Sequence, residues 1–175
     1  MSVSSDNEEF DLVDESDRAI GTALRSEVHG DPTKIHRVAH VLLFDSQGRL
    51  FLQKRSAAKD VQPNKWDTSV GGHVDAGESY RAAAIREMRE ELGVENVELT
   101  ALYKYLHRND FESEYVTTFQ GIHDGPVTVN PDEIVEGRFW SLREIRSAPS
   151  EIFTPNFLEE LQRFQSTVAT QKDEP

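Results

Sequence analysis

The segment "GGHVDAGESYRAAAIREMREELGV", residues 71–94, decides how the rest of the chain is read. The loop "HVDAGE" leads into a run that Gly93 stops; this predicts a glycine-bearing loop feeding a helix from about Ser79 to Leu92. On a helical wheel Ile85, Met88 and Leu92 share one face, which should pack on a sheet, while Glu87, Glu90 and Glu91 gather on another with small Ala83 above them. Like charges so spaced cost roughly 0.2–0.5 kcal/mol per pair in an isolated helix. A solvated acidic face softened by Arg86 and Arg89 is the plain explanation. Against it stand the glycine loop, the additional Glu78, and an arginine at 86 placed to hold a glutamate in position. Clustered carboxylates with no thiol among them suit a hard divalent cation such as Mg²⁺ or Mn²⁺.

Upstream, "HRVAHVLLFDSQGRLFLQKRS" (36–56) carries two β-rich runs around Asp45–Gly48 and predicts a hairpin, and "FDLVDESDRAIGTALRSEVH" (10–29) predicts a short edge strand pair followed by a turn of helix. Trp66, expected in the core or a pocket wall, leads a short strand into Gly71 and Gly72. Downstream, "ELTALYKYLHR" (98–108), "SEYVTTFQGIH" (113–123) and "EGRFWSL" (136–142) predict further strands, "SLREI" a short helix and "PNFLEELQRFQ" (155–165) a closing one. Strands interleaved with few helices indicate an α+β fold, an α/β/α sandwich on a mixed sheet. We expect one domain over 9–166, an acidic disordered tail over 1–8 and a flexible tail over 167–175.

Composition narrows the function. The formal charge is −13, and the first 18 residues hold seven acids against Arg18 alone. Such a balance offers no long-range attraction to nucleic acid or anionic lipid, so no nucleic-acid or membrane partner is expected; a phosphate-bearing ligand needs a local basic cluster or a bridging cation. The chain contains no cysteine, which rules out disulfides, thiolate ligands and a cysteine nucleophile. The start lacks the basic and apolar regions of a secretory signal, no apolar run approaches a membrane span, and a cytoplasmic location is expected. Whether the chain acts as a monomer or a homodimer stays open at this stage.

Gly72, five residues, Glu78, seven residues, Arg86-Glu87-Met88, one residue, Glu90-Glu91, one residue and Gly93-Val94 together resemble the Nudix box at every position, aliphatic sites included. The resemblance implies the Nudix fold, a mixed sheet between helices, and metal-dependent hydrolysis of a diphosphate linkage in a nucleoside diphosphate derivative or related organic diphosphate. By the same resemblance Glu87, Glu90 and Glu91 bind the metal, Glu78 supports the site and Arg86 orients a glutamate. The chemistry is sensible on its own terms. A divalent ion neutralises diphosphate charge and activates a water, and a nearby carboxylate can take the proton.

The likeness extends over roughly residues 10–145 to the first half of type 1 isopentenyl-diphosphate isomerases, themselves in the Nudix superfamily. That resemblance implies a second divalent ion, such as Zn²⁺ or Mn²⁺, held by His29, His36, His73, Glu112 and Glu114 beside the glutamate helix. It also implies that Arg55 and Lys59, expected to be exposed, bind a diphosphate. The isomerase reaction relies on a cysteine where this chain has Gly71, and the isomerase box is degenerate where Glu87 and Glu90 stand here. Both departures point from isomerisation to hydrolysis. An isomerase using another acid, or a silent module sensing a nucleotide metabolite, are the alternatives.

Overall fold

The computed structural model of the chain describes residues 7–59 and 61–172. The expectations for residues 1–6 and 173–175 lie outside them. The strands and helices run β1 (Glu9–Val13), β2 (Ala19–Leu24), α1 (Arg25–Val28), β3 (Ile35–Phe44), β4 (Leu50–Arg55), β5 (Trp66–Asp67), β6 (Val70–His73), α2 (Tyr80–Leu92), β7 (Thr100–Arg108), β8 (Ser113–Ile122), β9 (Ile134–Trp140), α3 (Leu142–Ser147) and α4 (Pro155–Lys172). The closing helix therefore continues past 166, through part of the segment expected to be a flexible tail.

β3 is the hub of the sheet. One edge carries β8 in parallel along its whole length, from Ile35↔Ser113 to Phe44↔Ile122. The other edge is divided: β1 meets it at Ile35, β6 runs antiparallel over Val38–Val41, and β4 touches it only at Phe44↔Leu50. The expected hairpin is thus correct at its turn and wrong in its arms. The turn itself is well made: the Asp45 carboxylate accepts from the N–H groups of Gln47 and Arg49, and Gly48 takes φ 75°. Because β6 occupies the edge β4 would use, β4 swings away and pairs with β5 and β9 instead. Only β7, beyond β8, remains to extend the parallel side.

Period-two alternation along β3 sends successive side chains to opposite layers. Ala39, Val41 and Leu43 pack with Ala83, Ala84, Met88 and Leu92 of α2, while Leu42 joins Leu50, Leu52, Trp66, Trp140 and the α4 residues Phe157, Leu161 and Phe164. This is the expected α/β/α arrangement, with Trp66 in the core and edge-on to Trp140 at 5.0 Å between centroids. Within α2 the wheel reading needs correcting. Ile85 is 45 % exposed, whereas Ala83 and Ala84 are fully buried. Two alanines let the helix lie close on the sheet, and that rotation turns Ile85 out to solvent. Among the described residues no helix is long and apolar enough to cross a membrane.

Candidate active site and a histidine–glutamate cluster

The glutamate site is assembled by Arg86. Its Nε and Nη2 fork onto the two oxygens of Glu78 at 3.1 and 2.9 Å, and Nη1 donates to Glu87 Oε1 at 2.7 Å. Nη2 also donates to the carbonyl of His73 at 3.0 Å, so the guanidinium ties the helix to β6 as well as to two acids. Glu78 comes first among the causes that raise the pKa of Arg86, and the cation is permanent. Ser79 caps the helix by accepting from Ala82 N–H, and Gly93 ends it at φ 61°.

Gly72 explains why a glycine opens the segment. A Cβ at 72 would collide with the Cγ, Cδ and Oε1 atoms of Glu87, which lie directly against the strand. Glu87 is consequently well buried; burial pushes its pKa up to about 7 against the opposing pull of Arg86. Glu91 is more extreme, at 7 % exposure, its Oε2 held by Gln53 Nε2 at 2.9 Å. Burial, with the charges of Glu87 and Glu133 added, raises its pKa well above the usual carboxylate range. Glu90 is half-exposed, 3.6 Å from Arg86 Nη1. The acidic face read from the wheel is thus a shallow cleft, enclosed at Glu87 and Glu91 and open to solvent at Glu90. A divalent cation would relieve the cost of keeping Glu87 and Glu91 ionised there, and these carboxylates fit the hard oxygen ligation such an ion takes.

Gln53 and Glu133 complete this cleft and were missed in the sequence reading. Gln53 did carry a signal, being an uncharged polar residue in the apolar run of β4 two places after Phe51 and so on the face that packs toward α2. Glu133 carried none, since its approach depends on a segment distant in sequence. Lys59 Nζ pairs with Glu133 Oε2 at 3.1 Å and acts on Glu91 through its charge. Arg55 donates instead to Asp67 Oδ2 at 3.2 Å and to the Val61 carbonyl at 3.1 Å. Neither cation is the free, exposed group that was expected: each is half-buried and held by a different carboxylate.

The five histidine and glutamate residues do converge, but not beside the glutamate helix. Since Gly72 faces Glu87, the neighbouring His73 projects from the opposite side of β6, together with His36 of β3. Donor atoms of His29, His36 and His73 lie within 4.8 Å of one another, as do those of His36, Glu112 and Glu114. His29 Nε2 and His73 Nε2 are 3.2 Å apart, and Phe10 stacks on His73 with ring centroids at 4.7 Å. Burial brings the His73 pKa down to about 3, so the ring is neutral with a lone pair available. His36 is fully buried with no hydrogen-bond partner at either ring nitrogen. Its Nε2 lies 3.4 Å from Glu114 Oε1 without hydrogen-bond geometry, and a buried imidazole so placed among two others and two carboxylates fits a mixed nitrogen and oxygen metal site.

A second buried network lies on the same face of the sheet. Glu160 of α4, 1 % exposed, accepts from His40 Nδ1 at 2.9 Å, Tyr103 Oη at 2.5 Å, Tyr105 Oη at 2.8 Å and Thr118 Oγ1 at 2.9 Å. Burial alone would raise the Glu160 pKa, but His40 and the two phenols bring it down to about 2. Burial likewise opposes the charge on His40, and Glu160 overcomes it to raise the imidazole pKa. His40 lies over Gly71: a Cβ there would stand 3.2 Å from His40 Cδ2 and 3.4 Å from Nε2. A cavity of about 30 Å³ is lined by His40 and Glu114, with Tyr105, Val116 and Asn156 among its other walls. Glu160 was legible in principle, as an acid inside the apolar stripe of Phe157, Leu161 and Phe164.

Known proteins resemble the chain over most of its length. The NUDIX domain family model matches residues 34–161. An uncharacterized Nudix hydrolase of Pseudomonas aeruginosa is 35% identical over 164 residues, covering 91% of this chain and 95% of its own. A protein of Nocardia farcinica named isopentenyl-diphosphate Delta-isomerase is 36% identical over 161 residues, covering 87% and 91%. Among solved structures, DR0079 from Deinococcus radiodurans superposes with a TM-score of 0.76 at 30% identity, covering 89% of this chain and 98% of that one.

Proposed function

Given that the chain belongs to the Nudix family, we propose that it hydrolyses a diphosphate linkage in a nucleoside diphosphate derivative or related small organic diphosphate, with Mg²⁺ or Mn²⁺ at the glutamate cleft. The observation that carries this reading is Arg86, a single permanent cation that fixes Glu78, Glu87 and the β6 backbone at once. Glu87, Glu90 and Glu91 would hold the ion, which when bound supplies charge neutralisation for the diphosphate and a more acidic water. Gly72 gives Glu87 its room, Gln53 aims Glu91, and Glu78 holds Nε and Nη2 of Arg86 so that Nη1 meets Glu87. Lys59, at the rim, offers the substrate a cation that costs only a surface ion pair to release.

The test is phosphate release from a panel of nucleoside diphosphate derivatives with Mg²⁺. Glu87→Gln and Glu91→Gln are expected to lower turnover roughly 100-fold or more while the fold survives, since each substitution removes repulsion from the helix. Wild-type rates in either variant would remove the assignment.

A second reading is favoured by His40. Its imidazole, held by Glu160, lies above Gly71 and beside the histidine–glutamate cluster, and so offers an acid where the isomerase-named relatives are expected to use a thiol. Double-bond migration in isopentenyl diphosphate that disappears in His40→Gln would support it; no migration in the wild type would end it.

A further inference from the structure

The loop that carries Glu78 is gripped by the N-terminal hairpin. β1, β2 and the turn between them precede the residues that match the family model. Glu9 O accepts from Ala76 N–H at 2.8 Å, Asp11 Oδ2 from Gly77 N–H at 3.2 Å, and Phe10 forms a β-bridge with Asp75. Arg37 O accepts from Val74 N–H at 3.0 Å. The segment 74–78 therefore rests on β1 and β3 as it approaches α2. What it presents to the cleft is Glu78, whose two oxygens hold Nε and Nη2 of Arg86 and, through Nη1, set the place of Glu87.

Asp17, in the turn between β1 and β2, locks this arrangement. Its Oδ1 accepts from Arg37 Nε at 2.7 Å, its carbonyl from Arg37 Nη2 at 2.7 Å, and its Oδ2 from the Tyr80 phenol at 3.0 Å and from Lys104 Nζ. The remaining arm of Arg37, Nη1, reaches Asp11 Oδ2 at 3.3 Å, so the acid that takes Gly77 N–H is bound to the same cation. Tyr80 is the first residue of α2, and Arg37 and Lys104 lie over its ring at 5.6 and 4.6 Å from the centroid. Burial would raise the pKa of Asp17, but its donors Lys104, Arg37 and Tyr80 outweigh it and hold the carboxyl low. The hairpin's own turn does not need this carboxylate. Asp14 closes that turn, with Oδ1 accepting from the N–H groups of Ser16 and Arg18. The Asp17 side chain, 11% exposed, is spent on β3, α2 and β7 instead.

We infer that Asp17 is a positioning residue of the hydrolase: through Arg37 and Tyr80 it fixes where α2 starts and how the loop 74–78 meets it, and so aims Glu78 at Arg86. A fork that must engage both Glu78 oxygens and Glu87 at once tolerates displacements of only about 0.5 Å before the constellation loosens. Asp17 touches neither the cleft nor its acids, and its effect reaches Glu87 through Tyr80, Arg37, the loop and Arg86 in turn. The inference rests on the hydrolase reading and adds to it a residue that works from the hairpin, outside the segment that carries the catalytic acids.

The experiment measures kcat and KM with Mg²⁺ on the best substrate of the nucleotide panel, well below the Tm of each variant, together with amide hydrogen exchange of the free protein. Asp17 sits at φ 58°, a left-handed conformation that Asn and Gly also accept, so Asp17→Asn and Asp17→Gly keep the turn while removing the charge or the whole side chain. Turnover should fall roughly 10- to 100-fold in Asp17→Gly and less in Asp17→Asn, with KM within about twofold of wild type. Tyr80→Phe should lose about three- to tenfold alone and nothing further in the Asp17→Gly background, because the phenol acts through Asp17. The Ala76 amide should exchange about tenfold faster in Asp17→Gly. A merely structural role would lower Tm and leave kcat and the coupling to Tyr80 unmoved. Wild-type kcat in Asp17→Gly, a rise in KM alone, or losses that multiply in the double variant each overturn the inference. A wild type inactive on every compound ends the hydrolase reading and the role in turnover with it. In that case faster Ala76 exchange in Asp17→Gly would still sustain the grip on the loop, and unchanged exchange would end that too.

Discussion

At the scale of single residues, Gly72 shows how a backbone requirement and a catalytic one coincide. Its missing side chain is the space in which Glu87 lies. Gly72→Ala should therefore displace Glu87 rather than merely strain β6, lowering turnover about 10- to 100-fold for a stability cost of about 1–3 kcal/mol. Steady-state rates and a urea denaturation curve on the same sample check both halves; full activity would mean that Glu87 works from another position. The spacing of Gly72, Glu78, Arg86 and Glu87 could be read directly, because these four residues meet within one short segment. Ile85 and Glu91 could not. A wheel gives angles between side chains but not the depth to which small residues let a helix settle. Glu91 is enclosed by Gln53 and by a segment reaching it from residues 128–134.

At the scale of elements, α4 is held to the sheet by more than its apolar stripe. Glu160 draws donors from β3, β7 and β8 onto one carboxylate, so removing its charge leaves a half-buried His40 imidazolium without its anionic partner. Glu160→Gln is expected to cost about 3–5 kcal/mol near pH 5.5. The pH dependence follows from the two shifts. Glu160 is depressed to about 2, so its contribution is complete above the ordinary carboxylate pKa of 4.5 and fades as pH falls toward 2. His40 is raised above 6.5, so its contribution is complete below 6.5 and fades as pH rises through the raised value. The charged and titratable neighbours that set this are Glu160 on α4, Tyr103 and Tyr105 on β7, Glu114 on β8 and Asp67 on β5. The stability gap between wild type and Glu160→Gln should be widest between about pH 4.5 and 6.5 and smaller at pH 3 and pH 9, as read by denaturant titration. A gap independent of pH would mean that packing, not charge, is what the glutamate supplies. Most strands and α2 were legible from their alternation and caps. The splayed arms of β3 and β4 were not, because local pattern cannot reveal that a third strand, β6, takes the edge between them.

At the scale of the whole molecule, β6 is a partition with a cleft of carboxylates on one side and a set of imidazoles on the other. The ligand types of the second set were legible as a list, but its side of the sheet followed only from the register that sets Gly72 against Glu87. Independence of the two sides is testable. Adding Zn²⁺ to chelator-treated protein should stabilise it by about 2.7 kcal/mol at a hundred times Kd and raise Tm accordingly. His36→Asn should abolish that rise and Glu87→Gln should leave it; equal loss in both would mean one shared site. The parallel pairing of β3 with β8 has a further consequence, for the order of folding. His36 and Glu114 sit opposite each other in that register, yet β4, β6, α2 and β7 all lie between them along the chain. Loop closure over such a span is slow, and parallel pairing rewards it late. Local pieces such as the Asp45 turn and α2 can form early, whereas the five-residue cluster exists only when the last long-range pairing is made. In a refolding experiment, high-affinity metal uptake should therefore trail the recovery of helix, timing the closure of the sheet.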